Sequence, residues 1–168
     1  MKVTLVNYSD VGGGAARAAY RLHRVLLDYG VDSRMRVANK GTDDYRVEAP
    51  LGKARKALSL LRAYAGGLPM CLQTSMNPIQ HSLAVLPSNL AAEFQRSEAE
   101  IVHLHWVCGD LISIADIGRI RKPVLWTLHD SWAFCGTEHH PDGLDDERFV
   151  TGYAPESQRS GHRGLDLD

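Results

Sequence analysis

Three consecutive glycines, Gly12, Gly13 and Gly14, stand between an apolar run, Val3 to Val6, and a stretch in which Ala15, Ala19, Leu22 and Leu26 recur at helical spacing. Glycine at a strand-to-helix turn permits a tight reversal and close approach of a ligand to the backbone, while the amides and positive end of the following helix attract an anion. The chemistry expected there is the holding of phosphate groups. The dinucleotide fingerprint Gly-x-Gly-x-x-Gly fails at its third glycine, where Arg17 stands, and no acidic residue closes the second strand, where Asn39 and Lys40 stand. A nicotinamide-dependent reductase therefore ranks behind other readings. No Gly-Lys-Ser/Thr follows, so the turn is not a Walker loop. The plain structural alternative is that the glycines only let helix and strand pack.

A second constellation lies farther along. His103 and His105 are two residues apart in "IVHLHWV", so on a strand they share a face, with Trp106 beside them. His129 and Asp130 close "PVLWTLHD", and ligands of open α/β sheets bind beyond the carboxyl ends of the strands. Taken singly, each histidine reads as a core or rim residue. Together with the glycine turn they read as one binding cleft, with Trp132 and Phe134 as surfaces on which a sugar can stack. His103, His105, His129, Asp130, His139 and His140 also form an inventory of metal-ligand types, but their spacing completes no metal-hydrolase pattern and no metal is expected. Cys71, Cys108 and Cys135 are odd in number and unpaired in spacing, which reads as small buried thiols in a reducing compartment.

The elements that must carry these residues follow from periodicity. A chain of 168 residues, 44% hydrophobic and 23% charged, has the length and composition of one globular domain. Its formal net charge of -1 gives no global attraction to nucleic acid. Val3 to Val6 and the alternating Val31 to Ala38 predict strands, with a helix between them that ends at Gly30. Lys53 to Ala65 predicts a helix on which Ala54, Ala57, Leu58, Leu61 and Ala65 form an apolar stripe. Its basic remainder, Lys53, Arg55, Lys56 and Arg62, reads as a solvated face or, alternatively, as a dock on the anionic inner face of a membrane. Residues Gly66 to Pro87 read as a long irregular loop.

A short helix is expected over Asn89 to Arg96, capped by Ser88 or Asn89, and another over Ser113 to Ile120 with Ser113 and Asp116 as a capping box. Strands are expected at Ile101 to Val107 and Pro123 to Asp130. This alternation predicts a Rossmann-like, doubly wound parallel α/β sheet over residues 1–140. Residues 141–168 read as an aperiodic tail. No export signal and no run of eighteen apolar residues is visible, so the expected location is the cytoplasm, with peripheral membrane contact left open.

The blocks "SDVGGGAARAAYRLHRVL", "LPSNL", "IVHLHWV" and "SIADIGRIRKPVLWTLHDSWAFCG", in this order and spacing, resemble the amino-terminal half of bacterial family-4 retaining glycosyltransferases of the exopolysaccharide and O-antigen type. The resemblance runs from about Met1 to about His140. It implies the amino-terminal half of a GT-B fold, a nucleotide-sugar donor, a saccharide acceptor that is free or lipid-linked, and no cofactor or metal. It also implies that Gly12, Gly13 and Gly14 meet the donor phosphates, that His129 faces the donor sugar and is the catalytic candidate, and that Asp10 contributes to acceptor binding. His103, His105, Trp106, Asp130 and Trp132 are the expected cleft lining.

In two respects the chain departs from that pattern. After the Trp-x-Phe run it has Cys135, Gly136, Thr137, Glu138, His139 and His140 in place of a Gly-Gly-Cys-His-Tyr-like segment. The carboxyl-terminal, donor-binding half with its Glu-x7-Glu motif is not within these residues, so the expectation is a truncated enzyme with little or no turnover. The alternative function is a non-catalytic Rossmann-like module that binds a glycan or a partner subunit.

Overall fold

The computed structural model describes residues 1–73, 79–141 and 146–153, and of the side chains of residues 53–56 nothing is stated. The elements run β1 (Lys2–Ser9), α1 (Gly13–Asp28), β2 (Asp32–Asn39), β3 (Val47–Glu48), α2 (Lys53–Gly67), a 3-10 helix (Leu68–Leu72), α3 (Leu90–Arg96), β4 (Ile101–Leu104), α4 (Ile114–Ile117), β5 (Val124–Trp126) and α5 (Arg148–Thr151). The five strands form one sheet in the order β3-β2-β1-β4-β5, and every pairing is parallel. This is a Rossmann-like α/β fold. The order reverses between β1 and β4, where the chain ends of adjacent strands lead away from each other and leave a crevice at their carboxyl ends.

The pleat of β1 divides two cores. Val3 and Leu5 join Ala19 of α1 with Met35, Val37 and Val47 of β2 and β3. Val6 turns to the other face and joins Val102, Leu104, Leu90, Phe94, Ile112 and Trp132. A central parallel strand buried on both faces carries apolar residues on both sides of its pleat, which is why Leu5 and Val6 stand side by side and only Thr4 is polar between Val3 and Val6. Because Ile101 belongs to the α1 side, the residues two and four beyond it, His103 and His105, lie on the face that α1 covers.

Several boundaries differ from expectation for identifiable reasons. β4 and β5 stop at Leu104 and Trp126, although backbone bonds between neighbouring chain segments continue just beyond them, from His105 N to Val6 O, from Tyr8 N to Trp106 O and from Thr127 N to Leu104 O, each at 2.9 Å. The two-residue β3 has too little pattern to be seen in sequence. Ser113 caps α4 by accepting from Asp116 N at 3.1 Å, but the Asp116 carboxylate turns to Ser88 N and Arg119 instead of completing the box. Of the long loop, Gly66 and Gly67 extend α2, the 3-10 helix follows, and residues 74–78 lie outside the described set. In the tail, residues 148–151 form the helical turn α5, while residues 142–145 and 154–168 are outside it.

Helix α2 forms where the periodicity places it, but its stripe faces the other way. Ala57, Leu58 and Leu61 are exposed, whereas Ser59, Arg62, Ala63 and Gly66 form the inner side. Arg62, assigned to the basic outer remainder, instead donates to the carbonyls of Leu86, Pro87 and Asp110 at 2.6 to 3.3 Å. Gly66 lies against Asp110 so closely that a Cβ there would sit 1.5 Å from a carboxylate oxygen. Asp110 itself has φ 52° and accepts from Leu86 N. The helix is thus held to the domain by a polar clasp, not by its leucines.

Candidate functional site

At the carboxyl end of β1 the chain leaves the sheet through Asn7, Tyr8 and Ser9. Ser9 Oγ accepts from Val11 N and Gly12 N at 3.3 and 3.2 Å, which fixes the turn. Gly13 has φ +84°, a conformation that side chains disfavour, and Gly12 offers α1 no side-chain cap. The first turn of α1 also contains no acidic residue. Its leading amides, at Gly13, Gly14 and Ala15, therefore have no side chain satisfying them, and they open onto a cavity of about 260 Å³. The cavity is lined by Asn7, Tyr8, Ser9, residues 12–16 and Trp106.

Trp106 links the turn to the neighbouring strand. Its backbone N donates to Asn7 Oδ1 at 2.8 Å, its carbonyl accepts from Tyr8 N at 2.9 Å, and its ring meets Tyr8 edge-on at 5.7 Å. Its indole N–H donates to Asp130 Oδ2 at 2.9 Å. Asp130 also accepts from His139 Nδ1 at 2.6 Å and from Trp132 N at 3.2 Å. So the ends of β1, β4 and β5 are tied into one wall by Asn7, Trp106 and Asp130.

Beside this tie three imidazoles stand in file. His103 and His105 have ring centroids 4.3 Å apart, and His105 and His129 stack at 5.2 Å. His103 Nε2 is 2.8 Å from Thr127 Oγ1, and His105 Nδ1 is 2.9 Å from His129 Nε2. Burial lowers the pKa of all three, and His105, which is 3% exposed, is pulled down to about 3 by burial and by its two histidine neighbours. The file is neutral at physiological pH.

Neutrality fixes the proton positions. Of His105 Nδ1 and His129 Nε2 one must donate to the other, and His105 Nε2 is buried with no partner. An orphaned buried lone pair costs less than an orphaned buried N–H. His105 therefore carries its proton on Nδ1 and donates to His129 Nε2, which leaves the proton of His129 on Nδ1. That nitrogen has no hydrogen-bond partner among the described residues. His129, half-buried just beyond β5, thus offers a neutral N–H donor held in place by His105.

The other expected residues are placed as follows. Asp10 is buried, and its carboxylate accepts from Gly41 N at 2.7 Å and from Thr42 N at 3.0 Å as well as from the Thr42 hydroxyl. Burial alone would raise its pKa, but the bonds from Thr42 and Gly41 outweigh this and hold it below the usual value. Its oxygens thus clasp the loop after β2 and brace the turn from behind. Trp132 lies in the core with its indole N–H on Ser82 O at 2.7 Å, while Phe134 is exposed against Phe149. Periodicity gave no access to Asn7, Thr127 or Ser82; a polar residue ending an apolar run is the one signal that pointed to Asn7.

Ser82, His139 and Asp130 have the connectivity of a nucleophile, base and carboxylate, with Ser82 Oγ 2.8 Å from His139 Nε2. His139 is only 2% exposed and its ring packs beside Trp106, so the three read as a clamp between the loop and the strand end. Among the described residues no group of three or more His, Cys, Asp or Glu side chains is arranged to hold a metal ion. Cys108 is buried beside Asp130, and burial pushes its thiol pKa far up, which makes it unreactive. No family model, curated protein or solved structure matches the chain.

Proposed function

We propose that the crevice at the ends of β1, β4 and β5 receives the diphosphate of a nucleotide-sugar, and that the chain is the acceptor-side, amino-terminal domain of a retaining glycosyltransferase with a GT-B architecture. The observation that carries the reading is the cavity of about 260 Å³ whose floor is the uncapped first turn of α1 and whose wall is Trp106. Backbone amides are neutral donors of fixed direction, so they stabilise charge that develops on a leaving diphosphate without needing to reorganise. The resemblance in sequence supplies the sugar chemistry. It assigns the donor sugar to His129, whose Nδ1–H suits a hydroxyl or ring oxygen.

In this reading the residues divide the work. Gly13 and Gly14 seat the phosphates, His105 sets the tautomer of His129, and Asp130 holds Trp106 in position. Asp10 is a positioning residue that acts through residues 41 and 42. The transferred sugar would keep its anomeric configuration and pass to a saccharide hydroxyl.

The test is titration of the chain with UDP-, GDP- and TDP-hexoses, the free nucleoside diphosphates and NADH, read from tryptophan fluorescence. Gly14→Asp adds a carboxylate at the helix end, at a position where a Cβ meets no atom within 4 Å. Saturable binding of at least one nucleoside diphosphate, weakened about tenfold or more by Gly14→Asp, is the expected result. Binding of NADH alone would favour the reductase reading, and no binding of any compound would remove the anion site.

A further inference from the structure

The outward face of α2 departs from an ordinary protein surface in both burial and charge. Leu58, Leu61, Tyr64 and Leu68 follow one another at helical spacing and are 47 to 69% exposed. Leu60 flanks them and Leu72 continues the surface along the 3-10 helix, both at least 60% exposed. From residue 57 to residue 92 the sequence holds a single Asp, Glu, Lys or Arg, which is Arg62, although 23% of the chain is of these types. Arg62 is turned inward, onto the carbonyls of Leu86, Pro87 and Asp110. An isolated exposed leucine needs no explanation, but bulky apolar side chains in one patch from which charge is removed are the make-up of the core of a protein–protein interface.

Area and symmetry name the partner. At these exposures the five leucines and the tyrosine present roughly 600 Å² to solvent, against about 800 Å² on each partner of a standard interface. The patch and its rim therefore reach the size of a specific contact without help from another element. A face without charge carries no sign that a differently charged partner could match. A second copy matches it by construction, because a two-fold axis sets one residue on another and that other on the first. With the axis perpendicular to the helix the two copies of α2 run antiparallel, and the positive first turn of each helix dipole meets the negative last turn of the other.

We infer that the chain forms a reversible homodimer in which the outward faces of two copies of α2 pack antiparallel about a two-fold axis near Leu61 and Tyr64. The polar clasp of Arg62 and Gly66 on Asp110 holds each helix to its own domain without using its leucines, which leaves them for the partner copy. A contact at the low end of specific interface sizes dissociates on the order of micromolar concentration. Below it the chain is a monomer, so a change on this face alters association and leaves the fold of the monomer as it is. The inference does not depend on the sugar-transfer reading, since the face shares no residue with the cavity at the first turn of α1 and is tested without nucleotide.

The experiment is sedimentation velocity of the full chain from about 1 to about 300 μM, a range that brackets a micromolar equilibrium. The expected result is a shift from the monomer mass to twice that mass, not weakened by about 0.5 M salt because the face carries no charge. The double variant Leu61→Ser/Tyr64→Ser should raise the dissociation constant about tenfold or more while its circular dichroism is unchanged. Leu125→Ser, at a leucine of β5 that is 56% exposed, should leave the dimer as it is. A monomer throughout the range, species heavier than a dimer, or a dimer that salt dissolves would overturn the inference. So would a dimer that the double variant leaves intact or that Leu125→Ser weakens equally. A chain that stays monomeric but floats with phosphatidylcholine vesicles would assign the face to lipid and overturn it as well.

Discussion

The two longest helices among the described residues, α1 and α2, have similar lengths, neither has an acidic residue in its first turn, and both carry a helical apolar period, yet they face opposite ways. Helix α1 turns Ala16, Ala19, Leu22 and Leu26 to the sheet and leaves Arg17, Arg21 and Arg24 to solvent. Helix α2 turns small and polar residues inward and leucines outward. The difference teaches that an apolar period specifies a helix but not the phase in which it buries its face. What selects the phase is the surface opposite: α1 meets the apolar β1 and β2, whereas α2 meets backbone carbonyls and the Asp110 carboxylate.

The largest effect that separates the two helices is expected at Ala19, which is fully buried under α1. Ala19→Asp places a carboxylate among Leu5, Met35 and Val37 with no partner, and should cost more than about 4 kcal/mol, read from urea unfolding. The next largest falls on the clasp of α2. Gly66→Ala forces the Asp110 carboxylate aside and should cost about 1–3 kcal/mol, with faster hydrogen exchange in α2 than in α1.

Acid should act on the two regions with opposite sign. The pKa of His105 is lowered by burial, so its contribution is present above the unfolded value near 6.5 and is lost as pH falls toward about 3, by up to about 1.4 kcal/mol per pH unit. His103 and His129 add to the same direction. Asp110 under α2 is raised by burial, so it favours the fold as pH falls and opposes it as pH rises through its shifted value. Unfolding measured from pH 7 to pH 5 should show falling stability, and the fall should be shallower in His105→Asn. The smallest effect is expected at the solvent face: Leu61→Ser should change stability by less than about 0.5 kcal/mol, because the residue is 60% exposed.

The parallel sheet was legible because β1 and the turn after it combine a short apolar run, Val3 to Val6 with Thr4 its one polar residue, with three glycines, and because strand and helix periods alternate along 1–130. The convergence of the glycine turn with the histidine strand ends was legible for the same reason, since open parallel sheets place such ends on one edge. The phase of α2 was not, because nothing in Lys53 to Ala65 announces that Leu86, Pro87 and Asp110 will offer it carbonyls from 24 to 48 residues away. Nor was the burial of Asp10 and Trp132 visible, as both depend on contacts with distant loops, to residues 41 and 42 and to Ser82. The tautomer of His129 depends on an orphaned atom of His105, which only three-dimensional packing creates.

The central claim is that the first turn of α1 is an anion seat walled by Trp106. Its most direct test is a titration of the ¹⁵N-labelled chain with inorganic pyrophosphate, followed through backbone amide and indole resonances. The account predicts saturable downfield shifts at the amides of Gly13, Gly14 and Ala15 and a change at the Trp106 indole, with the amides of α2 unmoved. Shifts confined to the basic residues of α2, or none at the glycines at saturating ligand, would contradict it.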